Sequence, residues 1–67
     1  MISARNQLNA TVKSVKLGSV MAEVVATAGN QDVVSVITRT SAEAMGLKAG
    51  DTVKIIIKAT EVMVAKD

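Results

Sequence analysis

Hydrophobic and polar residues alternate along most of this chain, a pattern typical of half-buried β-strands. From Gln7 onward the apolar residues fall on one face and then switch to the other: Leu8, Ala10 and Val12, followed by Val15 and Leu17. A shift of one residue within a strand predicts a β-bulge. The first predicted strand therefore starts at Gln7, bulges after Val12 and ends before the turn at Gly18.

Turn-forming residues divide the rest of the chain into further strands. The segment AGNQ, Ala28 to Gln31, predicts a hairpin turn between a second strand and a third. The same alternation returns near the carboxyl end, where Val62 and Val64 share an inward face of the last strand. The four predicted strands after the first are Ser19–Thr27, Asp32–Thr38, Thr52–Lys58 and Glu61–Ala65.

One short helix interrupts this pattern between the third and fourth strands. Thr40 and Glu43 have the spacing of a capping box, in which a hydroxyl at the cap is followed three residues later by Glu. Gly46 is a suitable stop, and Leu47–Asp51 contains a turn. The order predicts an all-β fold, a five-stranded Greek-key OB-fold barrel with one short helix between strands 3 and 4. A different small barrel, such as an SH3-like one, is the alternative.

The composition limits how such a chain can be stabilised. Its 67 residues allow a single domain, residues 1–67, and a chain of this size is marginally stable alone. It has no Cys for a disulfide, no His, and a hydrophobic content of 49%. Because a monomer this small cannot cover so many apolar residues, the composition favours self-association.

The absent residues also exclude several kinds of chemistry. Without His and Cys the chain lacks the usual activated nucleophiles, and we expect no enzymatic activity. It has no aromatic residue for stacking on bases, and its net charge is only +2, which disfavours nucleic acid as a partner. No signal peptide precedes the first strand, and the apolar run Ile55–Ile57 is too short to span a membrane. We therefore expect a cytoplasmic protein with no membrane partner.

Three segments carry hydrogen-bond donors that could bind an anion. They are ISARNQ at residues 2–7, ITRTSAE at residues 37–43 and IIIKAT at residues 55–60. Arg offers planar donors to anionic oxygens, and successive backbone N–H groups can surround an anion. Each segment also has a simple structural interpretation: a solvated terminus, a helix cap and a strand end protected by Lys58.

Together, SARNQ, ITRTSAE, KATEVM at residues 58–63 and the turn GLKAGD at residues 46–51 resemble the molybdopterin-binding-protein family, the molbindins. The similarity covers essentially the whole chain. It implies cytoplasmic binding and storage, or buffering, of molybdate or tungstate. The ion is bound as an oxyanion, without an organic cofactor and without a metal held directly by the protein. It also implies an OB-fold subunit in a homohexamer, a trimer of dimers, with the oxyanions between subunits.

The resemblance further implies which residues contact the oxyanion. The expected ligands are Ser3, Ala4 through its backbone, Arg5, Thr38, Ser41, Lys58 and the backbone of Ala59. Asn6 is expected to support the first segment, and Lys58 to come from a neighbouring subunit. For a second type of site, the turn Lys16–Ser19 is a guess based on its Gly, Ser and Lys.

The chemistry of the residues agrees with this expectation. A tetrahedral dianion has only acceptor oxygens, and the three segments supply donors with no carboxylate except Glu43. Two alternatives remain open: an OB-fold module for single-stranded nucleic acid, and a purely structural assembly subunit.

Overall fold

The computed structural model describes residues 4–66, which form a mostly β structure with one short α-helix. The elements follow the chain in the order β1 (Asn6–Leu17), β2 (Met21–Ala28), β3 (Gln31–Thr38), α1 (Arg39–Met45) and β4 (Thr52–Ile57), with a final 3-10 turn at Ala59–Glu61. The helix lies between the third and fourth strands, as the sequence predicted. None of the helices in residues 4–66 is long and apolar enough to cross a membrane.

The four strands form one antiparallel sheet in the order β3-β2-β1-β4. The long strand β1 pairs with β4 through its first half, from Asn6 to Thr11, and with β2 through its second half. The register with β2 shifts between Val12 and Ser14, so Lys13 is the extra residue of a bulge. The predicted change of phase is therefore confirmed, and it allows one strand to serve two partners.

Small residues dominate the core. Its buried apolar members are Ala10, Val12, Ala22, Val24, Ala26 and Ala42. Alanine lets the sheet and the helix approach closely, but it contributes little apolar area per residue. Many larger apolar residues stay exposed, among them Val34 and Val36 on β3 and Met45 at the end of the helix. Val20 lies in the turn before β2 and is 69% exposed.

Two glycines end elements where the sequence predicted turns. Gly29 has φ 65° at the first central position of the hairpin between β2 and β3, where glycine is favoured. Gly46 adopts the left-handed conformation after α1, and its N–H donates to the Glu43 carbonyl.

The GLKAGD turn after α1 closes onto β1 through its backbone. Gly50 N–H donates to Val12 O, and Val12 N–H donates to Asp51 O, both at 2.8 Å. The Asp51 carboxylate accepts from the Lys48 backbone N–H at 3.0 Å and from Lys48 Nζ at 3.1 Å. These bonds hold the pKa of Asp51 below its usual range, with the backbone N–H as the largest cause. The GLKAGD turn therefore has a structural role in holding the chain after α1 against β1.

The predicted fifth strand, Glu61–Ala65, is not found within the chain. The segment begins inside the 3-10 turn Ala59–Glu61 and then continues without pairing to any strand of residues 4–66. An alternating apolar pattern indicates a strand, but a strand needs a neighbour to accept and donate its backbone hydrogen bonds. The described fold is a four-stranded sheet, so the five strands and the Greek-key closure are not confirmed.

Candidate functional site

The first candidate segment enters the sheet directly. Arg5 is exposed and immediately precedes the first residue of β1, and Ala4 is half-buried. The Gln7 side chain donates from Nε2 to the Ala4 carbonyl at 3.0 Å. Gln7 therefore holds the segment in place, and the supporting role of Asn6 stays a prediction. The predicted ligand Ser3 lies outside the described residues.

The third segment reaches the same end of the sheet from the other strand. Asn6 pairs with Ile57 at the end of the β1–β4 ladder. The residues just beyond this pair are Arg5 on one strand and Lys58 on the other, followed by Ala4 and Ala59. The antiparallel register thus places Arg5 and Lys58 next to the last pair of the ladder within one chain, although Lys58 was expected to come from a neighbouring subunit.

No carboxylate competes for these two cations within residues 4–66. The ion pairs there join Lys13 to Asp32, Arg39 to Glu43 and Lys48 to Asp51. The Asp32 pKa is lowered because Lys13 and Thr27 donate to its carboxylate. Arg5 and Lys58 are both exposed and take part in none of these pairs. A guanidinium and an ammonium group at one strand end form a suitable partner for a small anion.

The second segment forms the start of α1, with a different cap from the predicted one. Thr38 is the N-cap, and its Oγ1 accepts from the Ser41 backbone N–H at 3.1 Å. Thr40 and Glu43 therefore do not form the capping box. Thr38 has the extended backbone that a cap requires, whereas Thr40 is already helical. Glu43 instead pairs with Arg39, one helical turn earlier.

The cap also orients the two predicted ligands of this segment. Thr38 Oγ1 donates to Ser41 Oγ at 2.8 Å. Because a hydroxyl has one proton, this bond leaves the Ser41 proton for another acceptor. Capping therefore gives Thr38 a structural role, and the contacts of both residues with an oxyanion stay a prediction.

Thr38→Ala is expected to destabilise the fold by about 1 kcal/mol, since the substitution leaves the Ser41 N–H without its side-chain acceptor. Thr40→Ala is the matched control because the same change is made two residues later, at an exposed helical position. The free energy of unfolding, measured by urea titration followed by circular dichroism, checks this. Equal effects of the two substitutions would contradict the assignment of the cap.

The helix start lies at the opposite end of β1 from Arg5 and Lys58. Thr38 pairs with Met21, and the next residue of β2, Ala22, pairs with Leu17 at the end of β1. β1 has 12 residues, and the longest extent of the described fold is 35 Å. The described structure therefore places Arg5 and Lys58 at one end of the β1–β4 ladder, and it does not bring Thr38 and Ser41 to them along the sheet.

The glycine of the turn suggested for a second site already forms structural hydrogen bonds. Gly18 N–H donates to Met21 O at 2.7 Å, so it is not available to an anion. The Gly18 carbonyl accepts from Arg39 Nη1 at 3.2 Å. The Gly18 N–H is therefore already bonded within the chain, and a contribution of Lys16 and Ser19 to a second site stays a prediction.

Two supporting residues were not recognised in the sequence. Arg39 connects the helix start to the β1–β2 turn, because its guanidinium contacts Gly18 and its backbone N–H donates to Val20 O at 2.8 Å. Gln7 supports the Ala4 carbonyl. The only available signal for Gln7 was a long amide three residues after Ala4. Arg39 gave the signal of an i,i+4 pair with Glu43.

The sequence and the fold of this chain are similar to those of known proteins. The family model of the TOBE domain matches residues 2–64. The chain is 48% identical to molybdenum-pterin-binding protein 3 of Clostridium pasteurianum, over 94% of each chain. The structure of a molybdate-binding protein from Sporomusa ovata has a TM-score of 0.95, with 42% identity and 98% coverage of both chains.

A further solved structure is that of the cytoplasmic molybdate-binding protein ModG with molybdate bound. It has a TM-score of 0.84 and 41% identity, covering 87% of this chain and 42% of the ModG chain. The similarity to these structures extends over nearly all described elements of the fold.

Proposed function

Since this chain belongs to the TOBE-domain family, we propose that it binds molybdate or tungstate and stores or buffers the oxyanion in the cytoplasm. The observation that carries the proposal is the position of Arg5 and Lys58 just beyond the last pair of the β1–β4 ladder, without a carboxylate paired to either within residues 4–66. Relatives described as molybdenum-pterin-binding and molybdate-binding proteins support the choice of ion.

The donor set suits a fully ionised tetrahedral oxyanion. Arg5 and Lys58 supply charge, the backbones of Ala4 and Ala59 lie beside them, and Ser41 adds a hydroxyl donor. Such an ion has only acceptor oxygens, so every protein group around it should donate. Phosphate is partly protonated at neutral pH and would need an acceptor that this set lacks. Sulfate differs mainly in size.

The site is completed by more than one subunit. The Arg5–Lys58 group and the Thr38–Ser41 group lie at opposite ends of β1, and an oxyanion contacts only groups within hydrogen-bond distance. In a homohexamer arranged as a trimer of dimers, one subunit supplies the first group and a neighbour supplies the second. The exposed apolar residues of the sheet support such an assembly.

The same proposal covers the remaining properties of the chain. Residues 1–67 act as a single oxyanion-binding domain, Ser3 joins the first group of ligands, and each assembled barrel is a five-stranded OB fold. The protein binds its cargo without transforming it, so no enzymatic activity, organic cofactor, nucleic acid or membrane takes part.

Native mass spectrometry tests the proposed function. We expect a discrete oligomer of the 6.9 kDa chain that gains defined molybdate increments and gains none with equal concentrations of sulfate or phosphate. The absence of Trp and Tyr rules out intrinsic fluorescence from these residues, so mass is the direct measurement. An oligomer that gains no molybdate would remove the proposed function. Retention of single-stranded oligonucleotide instead would favour the nucleic-acid alternative.

A further inference from the structure

One residue near the start of β1 is fixed by the sheet and also reaches back to the segment before it. Gln7 pairs with Ile56 in the β1–β4 ladder, next to the last pair, so its backbone is held by the sheet. Its side chain donates from Nε2 to the Ala4 carbonyl at 3.0 Å. Gln7 therefore joins the ordered end of the ladder to a segment that lies beyond it.

Arg5 lies between these two joined points. It precedes β1, and the ladder with β4 ends at the pair of Asn6 and Ile57. Residues beyond the last pair of a terminal strand fray unless other contacts hold them. The bond from Gln7 to Ala4 closes a small loop around Arg5, so the Arg5 backbone is held on both sides although no strand of residues 4–66 pairs with it.

The planar peptide bond between Ala4 and Arg5 transmits this constraint. In a trans peptide the carbonyl oxygen and the following N–H point in opposite directions. Because the Gln7 amide holds the Ala4 carbonyl, the Arg5 N–H is directed to the opposite side, away from Gln7. The Cα atom of Arg5 lies in the same plane, so the bond from Gln7 also limits the directions that the Arg5 guanidinium can take.

The exposure of these residues indicates that the bond serves local order rather than the stability of the whole fold. Gln7 and Arg5 are exposed, and Ala4 is half-buried. A hydrogen bond between exposed groups replaces bonds to water and contributes little net free energy. Ordering a binding group before the ligand arrives raises affinity, because less conformational freedom is then lost on binding. The bond from Gln7 to Ala4 orders Arg5 in this way.

We propose that Gln7 is a positioning residue for the oxyanion site: its amide holds Arg5 in the orientation that an ion at the end of the β1–β4 ladder requires. The inference rests on the proposed function, and it assigns Gln7 no contact with the ion itself. Replacing a residue that orients a ligand group typically weakens metal sites by about 10–100-fold. We expect the lower end of this range, because Gln7 is exposed and water can partly replace its donor.

β1 provides a matched pair of variants. Gln7→Met removes the donor and keeps an uncharged side chain of similar length, and we expect it to weaken molybdate binding about tenfold. Asn9→Met is the control, because Asn9 is also an exposed amide and lies two residues later on the same face of β1, opposite Lys54. We expect Asn9→Met to change the affinity less than about twofold. Circular dichroism and native mass spectrometry confirm that both variants are folded and assembled.

Repeating Gln7→Met in two further backgrounds separates the positioning of Arg5 from general damage to the protein. If Gln7 acts through Arg5, its replacement costs less than about threefold once Arg5→Gln is present. Lys58 lies on the other strand of the ladder, so Gln7→Met should still cost about tenfold in the Lys58→Gln background. Equilibrium dialysis with molybdenum quantified by mass spectrometry measures weak and strong binding alike. Equal losses in the two backgrounds would overturn the proposal.

The ¹⁵N order parameter of the Arg5 amide tests the positioning without molybdate. We expect about 0.85 in the wild-type protein, as for rigid backbone, and less than about 0.6 in Gln7→Met. The same order parameter in both proteins would overturn this inference and leave the proposed function intact. A wild-type protein that binds no molybdate would overturn both, so the two failures are distinguishable.

Discussion

Arg5→Gln and Lys58→Gln are each expected to weaken molybdate binding by about 10–100-fold while the oligomer stays assembled. Each substitution removes a charged donor from the end of the β1–β4 ladder and keeps a side chain of similar polarity. A hydrogen bond to a charged group contributes about 1.5–3 kcal/mol, and 1.4 kcal/mol corresponds to tenfold in affinity. Isothermal titration calorimetry in a chloride buffer measures the change, and native mass spectrometry reports the assembly.

Lys13→Gln is the matched control because it removes one positive charge from the same strand, at the bulge rather than at its start. Its exposed pair with Asp32 contributes little stability. We expect molybdate affinity to change less than about threefold, as a small shift in net charge would cause. If Lys13→Gln weakens binding as much as Arg5→Gln, the overall charge rather than the proposed site attracts the oxyanion.

The sequence predicted those features of the fold that depend on local pattern. The phase change after Val12 predicted the bulge, and the bulge lets β1 pair with two strands. The hairpin at Gly29 and the helix stop at Gly46 followed from the same reasoning, because both turns need a positive φ that glycine adopts readily. Alternation and turn chemistry act within a few residues, so one chain is sufficient to reveal them.

Two features were predicted incorrectly, a strand that needs a neighbouring strand and a helix cap that depends on backbone conformation. Val62 and Val64 alternate as a strand should, yet no neighbouring strand of the described chain pairs with them. The pattern of Thr40 and Glu43 predicts a cap at Thr40. The cap lies at Thr38 because the backbone is extended there. The third residue after Thr38 is Ser41, whose hydroxyl joins the cap in place of a Glu side chain.

In the candidate site, too, the residue types could be predicted from the sequence and their spatial arrangement could not. Similarity of short segments identified the residue types, and the need of an oxyanion for donors alone agreed with them. The meeting of Arg5 and Lys58 follows only from the register of β1 with β4, which fixes pairs far apart in the sequence. The roles of Gln7 and Arg39 depend on single hydrogen bonds to backbone carbonyls, and such bonds leave no periodic signal.

Mixing two defective variants is expected to restore about a quarter of the molybdate sites if each site joins two subunits. Arg5→Gln damages the group at the β1–β4 end, and Ser41→Ala damages the group at the helix start without removing the backbone N–H of the cap. In a randomly mixed oligomer, half of the subunits supply an intact first group and half supply an intact second group. About one site in four then has both groups, since symmetric subunits combine without preference.

The experiment unfolds and refolds the two variants together in equal amounts and compares the mixture with each variant refolded alone. Calorimetry counts the sites of high affinity, and native mass spectrometry confirms mixed oligomers by giving one variant a ¹⁵N label. If one chain supplied both groups to its own site, every site in the mixture would carry a defect, and no high-affinity binding would return. Restoration therefore requires that the helix start of one subunit faces Arg5 and Lys58 of another, as the positions of the two groups at opposite ends of β1 indicate.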